Sequence, residues 1–157
     1  KQRPNCLLVS TEFLSADLTK VVGLGPMDPL AVTQMARQLG SALAYMHSHG
    51  YAHHDVKLEN VMIAEDIPLD RYLAVQKQLR EVTYKLIDFG ICRRYPVSGG
   101  LNRVRETVRF CGTPNYISPE KWSKNYNPFK ADCYALGVTL YWALEGYPVM
   151  ESKLLGK

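Results

Sequence analysis

The sequence predicts an α+β fold that is mainly α-helical, with a few short β-strands. Three observations carry this expectation. Leu30, Met35, Leu39, Leu43 and Met46 recur at roughly helical spacing between Asp28-Pro29 and Gly50. The stretch from Asp132 to Gly146 is mostly apolar on all sides, the pattern of a buried helix. Val61-Met62-Ile63 and Lys85-Leu86-Ile87 read as short strands.

Taken in order, residues 6–14 form an apolar run, Cys6 to Leu14, suited to a buried strand. Gly23-Leu24-Gly25 precedes a proline and reads as a turn rather than a phosphate-binding loop. Asp28-Pro29 is a helix start, because Asp accepts from orphan amides and Pro at the first helical position loses no hydrogen bond. Between the two short strands, residues 64–83 place Leu69, Tyr72, Leu73, Gln76, Leu79 and Val82 on one helical face, with Arg71, Lys77 and Arg80 elsewhere. A docking helix for a partner and a surface excursion without function both fit this segment. The last element is a helix over 131–145.

Bulk properties narrow the class. The 157 residues are 46% hydrophobic and 22% charged, an ordinary globular composition for one domain. No run of 18 apolar residues exists, so no membrane association is expected. The chain begins at Lys1 with no Met and no charged-then-apolar leader, so a targeting signal is expected either to be absent or to lie outside the given sequence. Cys6, Cys92, Cys111 and Cys133 are scattered without a C-x-x-C pair, which argues for a reducing compartment, cytoplasm or nucleus. Net charge is +4, and Arg93, Arg94, Arg103, Arg105 and Arg109 fall between Asp88 and Glu120. A phosphate- or acid-facing loop explains them better than a nucleic-acid site, which needs a broader basic face with aromatics.

The chemistry concentrates in three motifs. Residues 53–60 read His-His-Asp-Val-Lys-Leu-Glu-Asn, Asp88-Phe89-Gly90 follows 28 residues after Asn60, and Cys111-Gly112-Thr113-Pro114 leads to Ser118-Pro119-Glu120. An acid that takes a hydroxyl proton, a lysine, an amide and a second acid suited to Mg²⁺ are what phosphoryl transfer from ATP to an alcohol requires. On these motifs the chain resembles a eukaryotic protein kinase of serine/threonine type, from about Asn5 to Pro148.

The resemblance implies a partial kinase domain: residues 1–16 as the last strand of the N-terminal lobe and the hinge, residues 17–157 as the C-terminal lobe to just past its central helix, and 64–83 as an insertion. It implies Asp55 as catalytic base, Lys57 as the cation facing the transferring phosphoryl group, and Thr113 as the tie between peptide-binding and catalytic loops. Asn60 and Asp88 become the Mg²⁺ ligands. Thr11 falls at the gatekeeper position, Glu12, Phe13 and Leu14 in the adenine-facing hinge, Asp17 beside the ribose, and Met62 under the adenine. ATP and Mg²⁺ are then the cofactors and a protein the substrate, with Glu59 attracting a basic substrate residue or simply solvated. Ile91 goes with threonine as acceptor.

Other residues depart from the pattern. His54 stands where an arginine would clamp a loop phosphate, and the position two before Cys111, often a phosphothreonine, is Arg109. Weak or no dependence on phosphorylation at that site is therefore expected, with Thr107 and Ser98 remaining candidate phosphosites. His47, His49, His53 and His54 lie within eight residues, but their spacing and the lack of thiolates argue against zinc. The Gly-rich loop, its strand lysine and the helix glutamate are not in the sequence. The expectation is a piece of a larger kinase, inactive and aggregation-prone alone. A non-catalytic pseudokinase scaffold is the alternative. A small-molecule phosphotransferase is disfavoured by Gly112-Thr113-Pro114 and Ser118-Pro119-Glu120.

Overall fold

A computed structural model describes residues 10–14, 16–67, 72–107, 111–123 and 125–146. Residues 6–9, Leu69, Arg71, Arg109 and Tyr147-Pro148, together with the side chains of Tyr72 and Leu73, lie outside the described residues.

The fold is mainly helical. Helix α2, Pro29–Ser48, starts where Asp28 accepts from the amides of Leu30 (2.9 Å) and Ala31 (3.3 Å), as the Asp-Pro pair predicts. It buries Val32, Met35, Leu39 and Leu43. The second long helix, α4 (Pro128–Glu145), begins with the same device: Asn127 accepts from Lys130 N, and Pro128 occupies the first turn. The expected start near residue 131 was late because Asn127-Pro128 is itself a cap. Gly146 closes α4 in the left-handed region at φ 75°. The helices pack together, with Leu136, Leu140 and Trp142 joining Met35, Leu39 and Ala143. The expectation that α4 is buried all round is corrected among the described residues. Its buried face is Ala131, Asp132, Ala135, Thr139 and Ala143, while Tyr134, Tyr141 and Leu144 are exposed.

Three short antiparallel strands sit beside this pair. The strands β1 (Ala16–Asp17), β3 (Val61–Ile63) and β4 (Tyr84–Leu86) lie in the order β1-β3-β4, with Asp17 opposite Met62 and Val61 opposite Leu86. The strand expected over 6–14 is not found at Ser10–Leu14. Among the described residues, it is Ala16 and Asp17 that pair with β3. Ile87 likewise leaves the ladder and donates to Asn60 O at 2.9 Å. A second pair, β2 (Tyr51–Ala52) and β5 (Arg93–Arg94), matches Ala52 with Arg93. Gly50 enables it: φ is 81°, and a Cβ there would lie 2.5 Å from Tyr95 O. The short helix α1 (Leu18–Val22) buries Leu18, Val21 and Val22 in the same core.

Among the described residues, the segment 64–83 contributes to that core. Helix α3, Tyr72–Gln78, presents Val75, which with Ile67, Leu79 and Val82 is buried among the side chains of α2 and β3. The predicted face omitted Val75 and included Gln76, which instead accepts from Asp28 N at 2.6 Å. Arg80 grips both Asp28 oxygens (3.0 and 2.8 Å), and Gln38 bridges Val82 O and Tyr84 N. These bonds fasten the excursion to α2.

Candidate active site

The loop from His53 to Asn60 is held from below by one buried carboxylate. Asp132, on the first turns of α4, accepts from His53 N (2.8 Å), His54 N (2.8 Å) and His47 Nε2 (3.0 Å). This grip maintains His54 at φ 71°. Among the described residues, His54 and Asp88 (φ 60°) are the non-glycine residues with positive φ; Asp88 lines the cavity beside the hinge residues, and His54 directly precedes Asp55. Such strain persists where surrounding bonds over-determine it, and it concentrates at functional sites.

The His53 imidazole joins the two halves of the cleft. It accepts from Asp55 N through Nδ1 (3.2 Å), so its Nε2–H donates to Ile87 O (3.0 Å), the residue before Asp88. Burial, against the attraction of Asp132, keeps its pKa below the ordinary value and the ring neutral, as this two-way bonding requires. Phe89 packs edge-on against it at 5.3 Å. With Asn60 O bonded to Ile87 N, the loop carrying Asp55 and Asn60 and the turn carrying Asp88 emerge side by side.

The Asp55 carboxylate, like that of Asp132, is held by three donors. Thr113 Oγ1 donates to Oδ1 (2.7 Å), Lys57 Nζ lies 2.9 Å from Oδ2 and donates to Thr113 Oγ1 (2.9 Å), and Asn60 Nδ2 donates to Asp55 O (2.8 Å) and Oδ2 (3.1 Å). Partial burial opposes ionisation of Asp55. The bonds from Lys57, Thr113 and Asn60 outweigh it and hold the carboxyl below its usual pKa. Thr113 reaches Asp55 because Gly112 passes the catalytic loop at φ 111°, where a Cβ would lie 2.9 Å from His54 O.

Two oxygens remain for a hard cation. Asn60 spends its Nδ2 on Asp55, which turns its Oδ1 the other way, and Asp88 engages one oxygen with Gly90 N (3.0 Å). One amide and one carboxylate oxygen suit Mg²⁺, which takes few protein ligands and keeps water and phosphate for the rest. Beside them lies a cavity of about 470 Å³ lined by Thr11, Glu12, Phe13, Leu14, Met62 and Asp88, among others. Asp17 is not in that lining. Its carboxylate caps α1, accepting from Thr19 Oγ1 and from Lys20 N (3.1 Å).

The four histidines separate. His47 bonds Asp132, His53 bonds Ile87 O, His54 bonds Tyr95 OH (2.8 Å), and His49 sits exposed at the end of α2. His54 is buried, and burial lowers its pKa to about 4, so it is neutral near pH 7. The sequence reading placed it where an arginine would clamp a loop phosphate, as a weaker substitute. In the fold it faces the hydroxyl of Tyr95. Sequence reasoning also passed over Lys85, which pairs with Glu12 at the cavity, and Glu106, the buried partner of Tyr95 and Arg93. The signal for Glu106 was present: it is one acid among the arginines of that loop.

Comparison with known proteins identifies the family. The protein kinase domain family matches residues 2–155. The chain is 39% identical over 119 residues to the serine/threonine-protein kinase zyg-8 of Caenorhabditis elegans, covering 76% of the chain and 13% of that protein. It is 43% identical over 112 residues to the maternal embryonic leucine zipper kinase of Danio rerio, covering 71% of the chain and 14% of that protein. To the serine/threonine-protein kinase PknE of Mycobacterium tuberculosis it is 35% identical over 131 residues, covering 83% of the chain and 20% of that protein. The chain thus spans a fifth or less of the length of these relatives. All three names denote kinases, none a non-catalytic scaffold.

Proposed function

We propose, from the premise that this chain belongs to the protein kinase domain family, that the protein carrying it phosphorylates serine and threonine hydroxyls of protein substrates, using ATP and Mg²⁺. The observation that carries this reading is the pair of bonds from the His53 ring, to Asp55 N and Ile87 O, which holds the two acid-bearing loops against each other.

Each side chain then has a physical task. Asp55, ionised and fixed by three donors, orients the substrate hydroxyl and takes its proton as the oxygen–phosphorus bond forms. Its lowered pKa makes it a weak base, which suffices where bond breaking leads bond making. Lys57 places a cation beside Asp55, where negative charge on the transferring group is neutralised. Thr113 fixes both and ties them to the segment on which a peptide would lie. Asn60 and Asp88 hold the metal. Bound ATP–Mg²⁺ supplies the transferable γ-phosphoryl group and the leaving ADP. Thr11, Glu12, Phe13, Leu14 and Met62 line the nucleotide's cavity, and within this reading residues 17–157 form the C-terminal lobe.

The test uses the full-length protein with labelled ATP, Mg²⁺ and a basic peptide containing serine or threonine. Label transfer that Asp55→Asn abolishes supports the reading. Nucleotide binding without transfer in the wild type would instead make the domain a binding module.

A further inference from the structure

We propose that Glu106 is a positioning residue whose buried carboxylate fastens the segment 91–107 to the catalytic loop through Tyr95 and His54. This rests on the reading above and adds how that site is kept assembled.

Glu106 is 3% exposed, although its neighbours Arg103 and Arg105 are exposed. Its backbone pairs with Tyr126 in both directions (2.8 and 3.2 Å). One carboxylate oxygen accepts from Tyr95 OH (2.7 Å) and Arg93 Nη1 (3.0 Å), the other from Thr107 N (3.0 Å). A buried carboxylate is tolerated only with such charged and hydrogen-bonded company.

Proton bookkeeping orders the rest. Tyr95 has one hydroxyl proton, and the carboxylate takes it. The Tyr95 oxygen therefore accepts from His54 Nε2–H at 2.8 Å, which leaves His54 Nδ1 as a bare, buried lone pair without a donor. The direction of every bond in this chain is set by the charge on Glu106. At its far end His54, already strained at φ 71°, is the residue before Asp55. A neutral imidazole offers no positive charge to a phosphate. The anion that organises this loop is encoded in the sequence, so no modification of the loop is needed to supply it.

In phosphatase-treated full-length protein, Glu106→Gln removes the charge at nearly constant volume. The expected result is a fall in kcat of about 10- to 100-fold with the KM for ATP little changed, since a charge-assisted hydrogen bond is lost away from the nucleotide cavity. Glu106→Asp, which keeps the charge, should recover most of that loss. Tyr95→Phe, which removes the hydroxyl that joins Glu106 to His54, should lower kcat at least as far. Trypsin cleavage after Arg103 and Arg105 should accelerate about tenfold or more in Glu106→Gln, as the freed loop opens.

Wild-type kcat or wild-type cleavage in Glu106→Gln overturns the proposal. So does a wild-type enzyme that loses its activity on phosphatase treatment. If the untreated wild type transfers no phosphate, the functional reading fails, and the cleavage rates still decide whether Glu106 anchors the loop.

Discussion

Substituting Asp132 by asparagine tests the support beneath the catalytic loop. The carboxylate is 1% exposed and accepts three bonds, two on Oδ2 and one on Oδ1. The best amide orientation keeps an oxygen for His53 N and His47 Nε2. It then turns an NH₂ against His54 N, so two buried donors face each other with no acceptor. At about 1–3 kcal/mol for each unsatisfied group, the cost is about 4 kcal/mol. That is a large fraction of the ~5–15 kcal/mol that holds a domain together. His54 N also loses the bond that opposes its left-handed backbone, a conformation costing about 1–3 kcal/mol, so Asp55 moves with it. The assay is urea unfolding of the full-length protein followed by tryptophan fluorescence, since Trp142 packs beside this loop's core. With a denaturant slope near 2 kcal/mol per molar, the midpoint should fall by about 2 M, and phosphoryl transfer should be lost. A midpoint within about 0.3 M of the wild type would refute the reasoning, because it would mean that His54 N finds another acceptor at no cost.

Three further outcomes are expected. Thr113→Val keeps the shape but removes the oxygen shared by Asp55 and Lys57, so kcat should drop about tenfold or more with KM little changed, and Thr113→Ser should restore it. Asp88→Asn should remove the Mg²⁺ dependence of nucleotide binding, measured by titration calorimetry with and without the ion, and lower turnover at least ~100-fold. Stability should fall as pH drops from about 6.5 to about 4, because unfolded His54 takes up a proton that the folded state, with its pKa near 4, refuses. Asp132 and Glu106 draw that proton in, Lys121 and His53 repel it, and burial decides the balance. The loss is on the order of 3 kcal/mol, visible as a flatter pH–melting curve in His54→Gln, with the slope left by His53 and Asp55 still running the same way.

Legibility followed the distance over which each interaction acts. The start of α2 was readable because Asp28 caps amides two and three residues away, and α4 carries the same signal at Asn127-Pro128, where it went unread. The burial of Val75, by contrast, depends on which side of α3 meets α2, and the periodicity of 64–83 allowed a different face. The helix α4 is apolar enough to be buried all round by composition, yet packing covers one side of it among the described residues.

The residue types of the candidate site, their order and their spacing belong to the sequence alone, since an acid, a lysine, an amide and a second acid limit the chemistry before any folding. Their assembly belongs to tertiary structure. Asp132 reaches His54 across 78 positions and His47 across 85, and Tyr95 reaches His54 across 41. Bonds of that span depend on how α2, α4 and the short strands stack, and no local pattern of residues encodes them. Whether the His54 imidazole is charged or neutral, and whether Glu106 is a solvated acid or a buried anchor, was decided by what the fold placed beside each.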